Sequence, residues 1–418
     1  MSNTLKPAIS CDTMPQGTLS VEQAQARILE SITPLHDTET VALLQAGGRM
    51  LAQPVYAQMN VPPHTNSAMD GYALRHADLA EGAWLKIFGS SFAGRPFAGV
   101  VQAGECVRIM TGAVLPAGAD TVVMQENVQC EDHAIHVSGK LSVGENVRHA
   151  GEDSKVGDLL LVARHKLNAA DIGLLASQGI ANVAVIRHLR VAFCSTGDEL
   201  KILGDTLQPG DIYDSNRYIL HTLLQKLDVE MFNLGVVRDT RESVEMVFRH
   251  ARDMADVFIT SGGVSVGEAD YVTDTLKSMG QVNFWKIAFK PGKPLAFGTL
   301  GNCLFFGLPG NPVLVMATFL LFVRPAILAL RGETVSLVPE YTAICDTPLK
   351  KEPGRKDYQR GICERDSSGQ WHVRTTGNQG SHVLRSMSQA NCFIVLPLEW
   401  GNVEAGTAVT IIPFEGLM

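Results

Sequence analysis

Between residues 189 and 332, short apolar runs alternate with longer stretches whose apolar positions recur every three or four residues. The first kind reads as buried strands and the second as amphipathic helices. Strands are predicted at Arg190–Cys194, Glu230–Val237, Val257–Thr260, Phe284–Phe289 and Cys303–Phe306. Helices are predicted at Asn216–Leu227, Arg241–Met254, Tyr271–Met279 and Val313–Leu330. Such alternation implies crossovers and a mainly parallel sheet, with ligands at the C-terminal strand ends. From Pro54 to about Asp153 the texture changes to Gly, Pro and Val with short strand-like runs, the pattern of a β-rich domain. From about Pro339 strand-like runs return without helices. Val21–Ile32 and Leu167–Gly179, the latter capped by Asn168, read as helices of one domain that the β-rich segment interrupts. Residues 1–18 are polar, carry Pro7 and Pro15, and read as a mobile tail.

The predicted fold class is therefore multidomain α/β plus β. A discontinuous N-terminal linking domain covers 19–53 and 154–184, and an inserted β-rich domain covers 54–153. The α/β domain covers 185–337 and a small C-terminal β domain 338–418.

Two predicted strand ends carry chemistry. Val257–Thr260 runs into Ser261, Gly262 and Gly263, then Ser265, Gly267, Glu268 and Asp270. Glycines let backbone N–H groups approach an anion closely, and serines add hydroxyl donors. The acidic pair beyond is suited to Mg²⁺ held against phosphate oxygens. A tight turn at a sheet edge remains the alternative, because a lone Gly-rich loop is weak evidence. Downstream, Phe305–Phe306 feeds Gly307-Leu308-Pro309-Gly310-Asn311-Pro312, with Asn311 placed as N-cap and Pro312 as first helical residue. A helix start beside a strand end favours anions. Between the two loops lie Lys286, Lys290 and Lys293. Read as a hairpin turning at Pro291-Gly292, the segment puts Lys286 and Lys290 on one strand face by their even spacing. Lys293 fits an ordinary surface lysine better.

A net charge of −8 argues against general nucleic-acid binding, so an anionic ligand must be held by local positive groups. The eight cysteines are scattered without a C-x-x-C pair, which gives no zinc or iron–sulfur signal and suits reduced cytoplasmic thiols. No basic stretch followed by an apolar one marks the N-terminus as a secretory signal. The longest apolar run is interrupted by Arg324 and Pro325 and reads as a buried helix, not a membrane span.

Eight segments together resemble one family. They are NSAMDGYAL (66–74), IMTGAVLPAGADTVVMQE (109–126), RHAGED (148–153), STGDEL (195–200), YDSNR (213–217), SGGVSVGEADY (261–271), WKIAFKPGKPLAFG (285–298) and GLPGNP (307–312). They are similar to the MoeA family of molybdopterin molybdenumtransferases, related to the E domain of gephyrin, over roughly residues 19–418. One departure is Leu314, where many members carry Ser. The resemblance implies an elongated four-domain homodimer with a central molybdopterin-binding domain. It also implies insertion of molybdenum from molybdate into adenylylated molybdopterin, assisted by Mg²⁺ or a similar cation, with release of AMP. Lysines, backbone N–H groups and a divalent cation suit two anionic substrates and the pyrophosphate that must be split.

Carried over by position, the resemblance makes Asp70, Thr111, Asp153, Glu199, Asp239 and Asp270 catalytic, with Glu199, Asp239 and Asp270 as metal ligands. Asp70 and Thr111 would serve the partner subunit's site. Ser261, Gly262, Gly263, Ser265, Lys286, Lys290, Pro309, Pro312, Arg360 and Ser381 would bind substrate. Local readings stand beside these. Asp70 fits a turn stabiliser before Gly71, and Thr111 a strand-end hydroxyl. Thr196-x-x-Glu199 fits a capping box. Asp239 and Asp270 fit N-caps, as do Asp214 and Ser215. Arg360 and Ser381 taken alone read as surface residues. The implied protein is a cytoplasmic enzyme with small anionic substrates, no nucleic-acid or membrane partner, and the pathway's molybdopterin adenylyltransferase beside it. An adenylyltransferase or nucleotide pyrophosphatase on the same central fold, and a gephyrin-like scaffold, are the alternatives.

Overall fold

The computed structural model describes residues 17–79, 83–263, 271–292, 294–335 and 339–417. Two compact units emerge, one from the chain up to His36 joined with Arg187 onward, the other from Asp37–Ile186. The expected tail falls largely on residues 1–16, outside the described residues. Its end is ordered, since Thr18–Leu19 pairs in parallel with Lys286–Ile287.

The first unit is built on a seven-stranded sheet. Its order is Glu230–Val237, Arg190–Thr196, Val257–Ser261, Cys303–Leu308, Pro294–Leu300, Gln281–Ile287 and Thr18–Leu19. The first four are mutually parallel. Successive residues of these strands feed two different cores. Val257 and Ile259 join one apolar cluster and Phe258 the other, as do Val191 and Phe193 against Ala192 and Cys194. Both sheet faces are therefore covered, which is why these strands read as unbroken apolar runs. Helices Asn216–Gln225 and Pro312–Leu330 contribute to one cluster. Arg241–Met254 and Tyr271–Met279 contribute to the other.

Pro312–Leu330 is long and apolar enough to cross a membrane by composition, yet 78% of that stretch is buried within the protein. It contains a π-helical turn at Phe319–Val323 just before Pro325. Pro325 has no N–H for the carbonyl four residues back, that of Leu321. Gln25 Nε2 donates to that carbonyl at 2.8 Å. This bond, with Val21, Ala24 and Ile28 buried in the same core, fixes helix Val21–Glu30 in the first unit. The expected partnership of that helix with the one at Ala169–Ser177 is therefore not found. The discontinuous part of the second unit begins at strand Thr38–Ala42, which pairs with Asn182–Ile186.

Gln281–Ile287, Pro294–Leu300 and Cys303–Leu308 form an antiparallel run, so the sheet is mixed, and Pro294–Leu300 is a strand the sequence reading missed. The predicted lysine hairpin is also corrected. The chain leaves the sheet at Ala288, and Phe289–Lys290 pairs with Lys356–Asp357 of the C-terminal barrel. Lys286 and Lys290 thus belong to different sheets and share no strand face.

That barrel closes in the order Lys356–Arg365, Trp371–Thr375, Tyr341–Cys345, Ala408–Pro413 and Cys392–Leu396, the last strand returning to pair with the first. It carries one helix, Leu384–Gln389, where none was predicted. The second unit holds the expected β-rich insertion, a six-stranded sheet containing Gly71–Leu74 and Glu105–Ile109. Gly71 is fixed by space, because a Cβ there would sit 1.8 Å from the Val123 carbonyl oxygen of the neighbouring strand.

Candidate functional site

The C-terminal ends of all four parallel strands open on one cavity of about 620 Å³. It is lined by Thr196, Asp239, Ser261 and Pro309, each at or just after its strand, and by residues following them. The chain moves from Arg190–Thr196 outward to Glu230–Val237, then returns to Val257–Ser261 on the other side. A crevice at such a reversal is the general ligand position of open α/β sheets.

Two glycines shape the wall. Gly262 has φ +94° and Gly263 φ +66°, backbone that side chains rarely adopt. A Cβ on Gly262 would lie 2.7 Å from the Thr196 carbonyl oxygen, and one on Gly263 2.6 Å from Val272 Cγ2. The loop is pinned by Gly262 N–H donating to the Leu308 carbonyl at 3.0 Å. Behind it, Asp214 is buried and accepts from Ser195 Oγ at 2.9 Å, Arg217 Nε at 2.9 Å and Arg217 N at 3.2 Å. Asp214 therefore caps and anchors the helix that begins at Asn216, while Ser215 makes no side-chain cap.

Glu199 and Asp239 are exposed and both line the cavity. No helix follows Thr196, since the chain turns into the short strand Leu200–Lys201, so the capping box is not formed. The helix at Arg241 is capped by Thr240, which accepts from Ser243 N–H, not by Asp239. Asp239 N–H instead donates to Asp198 Oδ1 at 3.2 Å. Neither residue therefore caps a helix. Among the described residues no three His, Cys, Asp or Glu side chains group to hold a metal ion. Two carboxylates suffice for Mg²⁺ when phosphate oxygens and waters complete its shell. The predicted third ligand Asp270, with Ser265 and Lys293, lies outside the described residues.

Pro309 and Pro312 line the cavity. Asn311 stands at the N-cap but makes no capping bond; its Nδ2 donates to Ser381 Oγ at 3.1 Å. The loop carrying Ser381 is held from below by Arg360, which is 1% exposed. Its guanidinium donates to the carbonyls of Asn378, Gln379 and Gly380 and to Ser386 Oγ, all at 3.0–3.1 Å. Burial pulls its pKa down to about 10. Arg360 is thus neither a surface residue nor a cavity wall; it shapes the loop that brings Ser381 and His382 to the site. Lys286 is exposed and Lys290 half-buried, and neither lines the cavity. Lys290 faces Asp357, whose carboxyl is pushed up by burial against the pull of Lys290 and Lys351.

The remaining predicted residues lie in the second unit. Asp70 Oδ1 accepts from both Thr111 N and Thr111 Oγ1 at 2.7 Å. The Thr111 backbone N–H, then its hydroxyl, holds the Asp70 carboxyl below the usual carboxylate range. The pair sits exposed, and Asp70 bonds across the sheet, not to its own turn. Asp153 is exposed beside Arg148, Glu152 and Asn66 around a separate hollow of about 450 Å³.

Sequence reasoning named Thr196 only as a cap and Asn216 only as a helix start, and did not name His382, yet all three line the main cavity. The first two stand inside the quoted STGDEL and YDSNR segments, so that signal was present.

Three family models match this chain. "MoeA N-terminal region (domain I and II)" covers residues 19–179, "Probable molybdopterin binding domain" 192–329, and "MoeA C-terminal region (domain IV)" 342–414. A curated molybdopterin molybdenumtransferase of Haemophilus influenzae is 46% identical over 96% of this chain and 100% of its own length. One from a Nostoc species is 37% identical over 90% of this chain and 88% of its own. Gephyrin of Dictyostelium discoideum is 31% identical over 94% of this chain, which spans 62% of that protein. A crystal structure of the molybdopterin biosynthesis MoeA protein of Pyrococcus horikoshii superposes with TM-score 0.79 at 27% identity, covering 94% of this chain and 99% of that one. With each part of the fold matched in order over nearly its whole length, this chain belongs to the MoeA family.

Proposed function

We propose that this protein transfers molybdenum from molybdate to adenylylated molybdopterin, splitting the pyrophosphate bond and releasing AMP. The observation that carries this is a cavity at the parallel strand ends, in a chain 46% identical to a curated molybdopterin molybdenumtransferase. Ser261 Oγ and the Gly263 N–H offer donors to phosphate oxygens, while Gly262 holds the loop to Leu308. Glu199 and Asp239 would hold Mg²⁺, joined by Asp270, and the ion would neutralise charge on the pyrophosphate as it breaks. Ser265, Lys286 and Lys290 add donors and positive charge around two anionic substrates. Ser381 is presented by the loop that Arg360 supports, and Pro309 and Pro312 set the shape of the opposite wall.

Asp70, Thr111 and Asp153 complete the site from the partner of a homodimer. The protein works in the cytoplasm, as the seven free cysteines among the described residues suit. It receives its substrate from the pathway's molybdopterin adenylyltransferase. The organisation is the four-domain one. An adenylyltransferase or pyrophosphatase is not favoured, because the curated relatives align far beyond the central domain. A scaffold role is not favoured either, since the curated relatives whose own length the chain covers almost fully are molybdopterin molybdenumtransferases.

The test is turnover of adenylylated molybdopterin with and without molybdate. The proposal expects AMP and molybdenum-loaded cofactor together, both dependent on molybdate. Equal AMP release without molybdate indicates a pyrophosphatase and overturns it.

A further inference from the structure

Asn216 opens the helix behind the cavity and is 8% exposed. Its Nδ2 lies 2.6 Å from the Gly310 carbonyl oxygen and 2.7 Å from Ser261 Oγ. A carbonyl oxygen only accepts, so the amide must present its NH₂ group to Gly310. The same nitrogen faces Ser261, so both its hydrogens are donated and Ser261 Oγ is an acceptor here. A hydroxyl that accepts still has one hydrogen to give. Among the described residues, no acceptor takes the Ser261 hydrogen, while Ser261 lines the cavity.

We propose that Asn216 is a positioning residue that fixes the Ser261 hydroxyl as a donor to a phosphate oxygen of the ligand, and ties the two phosphate-facing loops together. The first loop is Ser261–Gly263 and the second Pro309–Pro312; Asn216 is bonded to one residue of each. Asp214, held by Ser195 and Arg217, keeps the helix start in place so that the amide reaches both. A donor of fixed polarity favours an anion over a neutral acceptor-poor ligand, and costs nothing to reorganise on binding. This inference rests on the cavity taking a phosphorylated ligand.

The test is a double-mutant cycle on the full-length protein, read as equilibrium binding of AMP and of molybdopterin. Asn216→Asp keeps size but puts an acceptor against Gly310 and turns the Ser261 hydrogen inward. It should weaken binding of at least one probe about ten- to a hundredfold, the range of a hydrogen bond to a charged group. Ser261→Ala should do the same, and Asn216→Asp should cost less in the Ser261→Ala background than alone, the remainder being the lost bond to Gly310. Asn216→Ala with an unchanged melting profile gives a second route to the same coupling. Losses that simply add for both probes, or wild-type affinity in Asn216→Asp, overturn the proposal, as does a wild-type protein that binds neither probe. Molybdenum transfer by the wild type, measured separately, reports on the reaction itself, so the two readings can fail independently.

Discussion

The predicted site residues divide between two settings. In the α/β unit, Ser261, Gly262 and Gly263 sit at strand ends whose positions are set by two apolar cores, and buried Asp214 and Asn216 brace them. In the β-rich unit, Asp70 and Thr111 stand exposed, joined to each other by two hydrogen bonds. The first setting is a formed cavity whose geometry is expensive to change. The second is an exposed carboxylate held by Thr111, with Gly71 beside it locked by the neighbouring strand. A site made of both kinds would fail differently when each is mutated: through shape in one, through chemistry alone in the other.

The largest effect is expected from Gly262→Ala. The added Cβ meets the Thr196 carbonyl in a backbone region that disfavours side chains, at a cost of about 1–3 kcal/mol. Binding of AMP and turnover should fall about a hundredfold or more, with a lowered melting temperature. Unchanged binding would show that the Gly-rich loop is only a turn. Arg360→Ala should come next. It removes the buried guanidinium that donates to three loop carbonyls and to Ser386 Oγ, costing about 1–3 kcal/mol. The barrel should melt earlier in calorimetry, and Arg360→Lys should restore only part of the loss.

Asp70→Ala sharpens the contrast. Its melting curve should match wild type while molybdenum insertion is lost. Mixed with an Asp239→Ala subunit it should recover activity, because each heterodimer can hold one intact site. Recovery with no dimer by light scattering, or full activity of Asp70→Ala alone, breaks the comparison. The smallest effect concerns pH. The Asp70 carboxyl titrates lower in the folded protein than unfolded, so its contact contributes fully above the ordinary carboxylate pKa and is lost only as pH falls through the lowered value. NMR titration should place Asp70 below the other exposed carboxyls. Thr111→Val should raise it only part way, since the backbone N–H bond remains.

The α/β alternation was legible because the inner strands Arg190–Thr196, Val257–Ser261 and Cys303–Leu308 are buried on both faces, so apolar runs mark them. The strand Pro294–Leu300 was missed because it opens on a proline and carries Gly298 where a partner backbone passes close. The lysine hairpin failed for a different reason. Phe289–Lys290 pairs with Lys356–Asp357 of the barrel, a strand pairing that no local spacing encodes. The cap readings of Glu199 and Asp239 failed because a short strand, not a helix, follows Glu199, and because Thr240, one residue on from Asp239, takes the cap. The roles of Asp214 and Arg360 depend on partners far along the chain, and only the folded structure brings these together.

A structure determined with AMP or molybdopterin bound tests the central claim most directly. The ligand's phosphate should lie against Ser261–Gly263 and Pro309–Pro312, within reach of Glu199 and Asp239. A phosphate seated instead in the hollow beside Arg148, with the strand-end cavity empty, would contradict it.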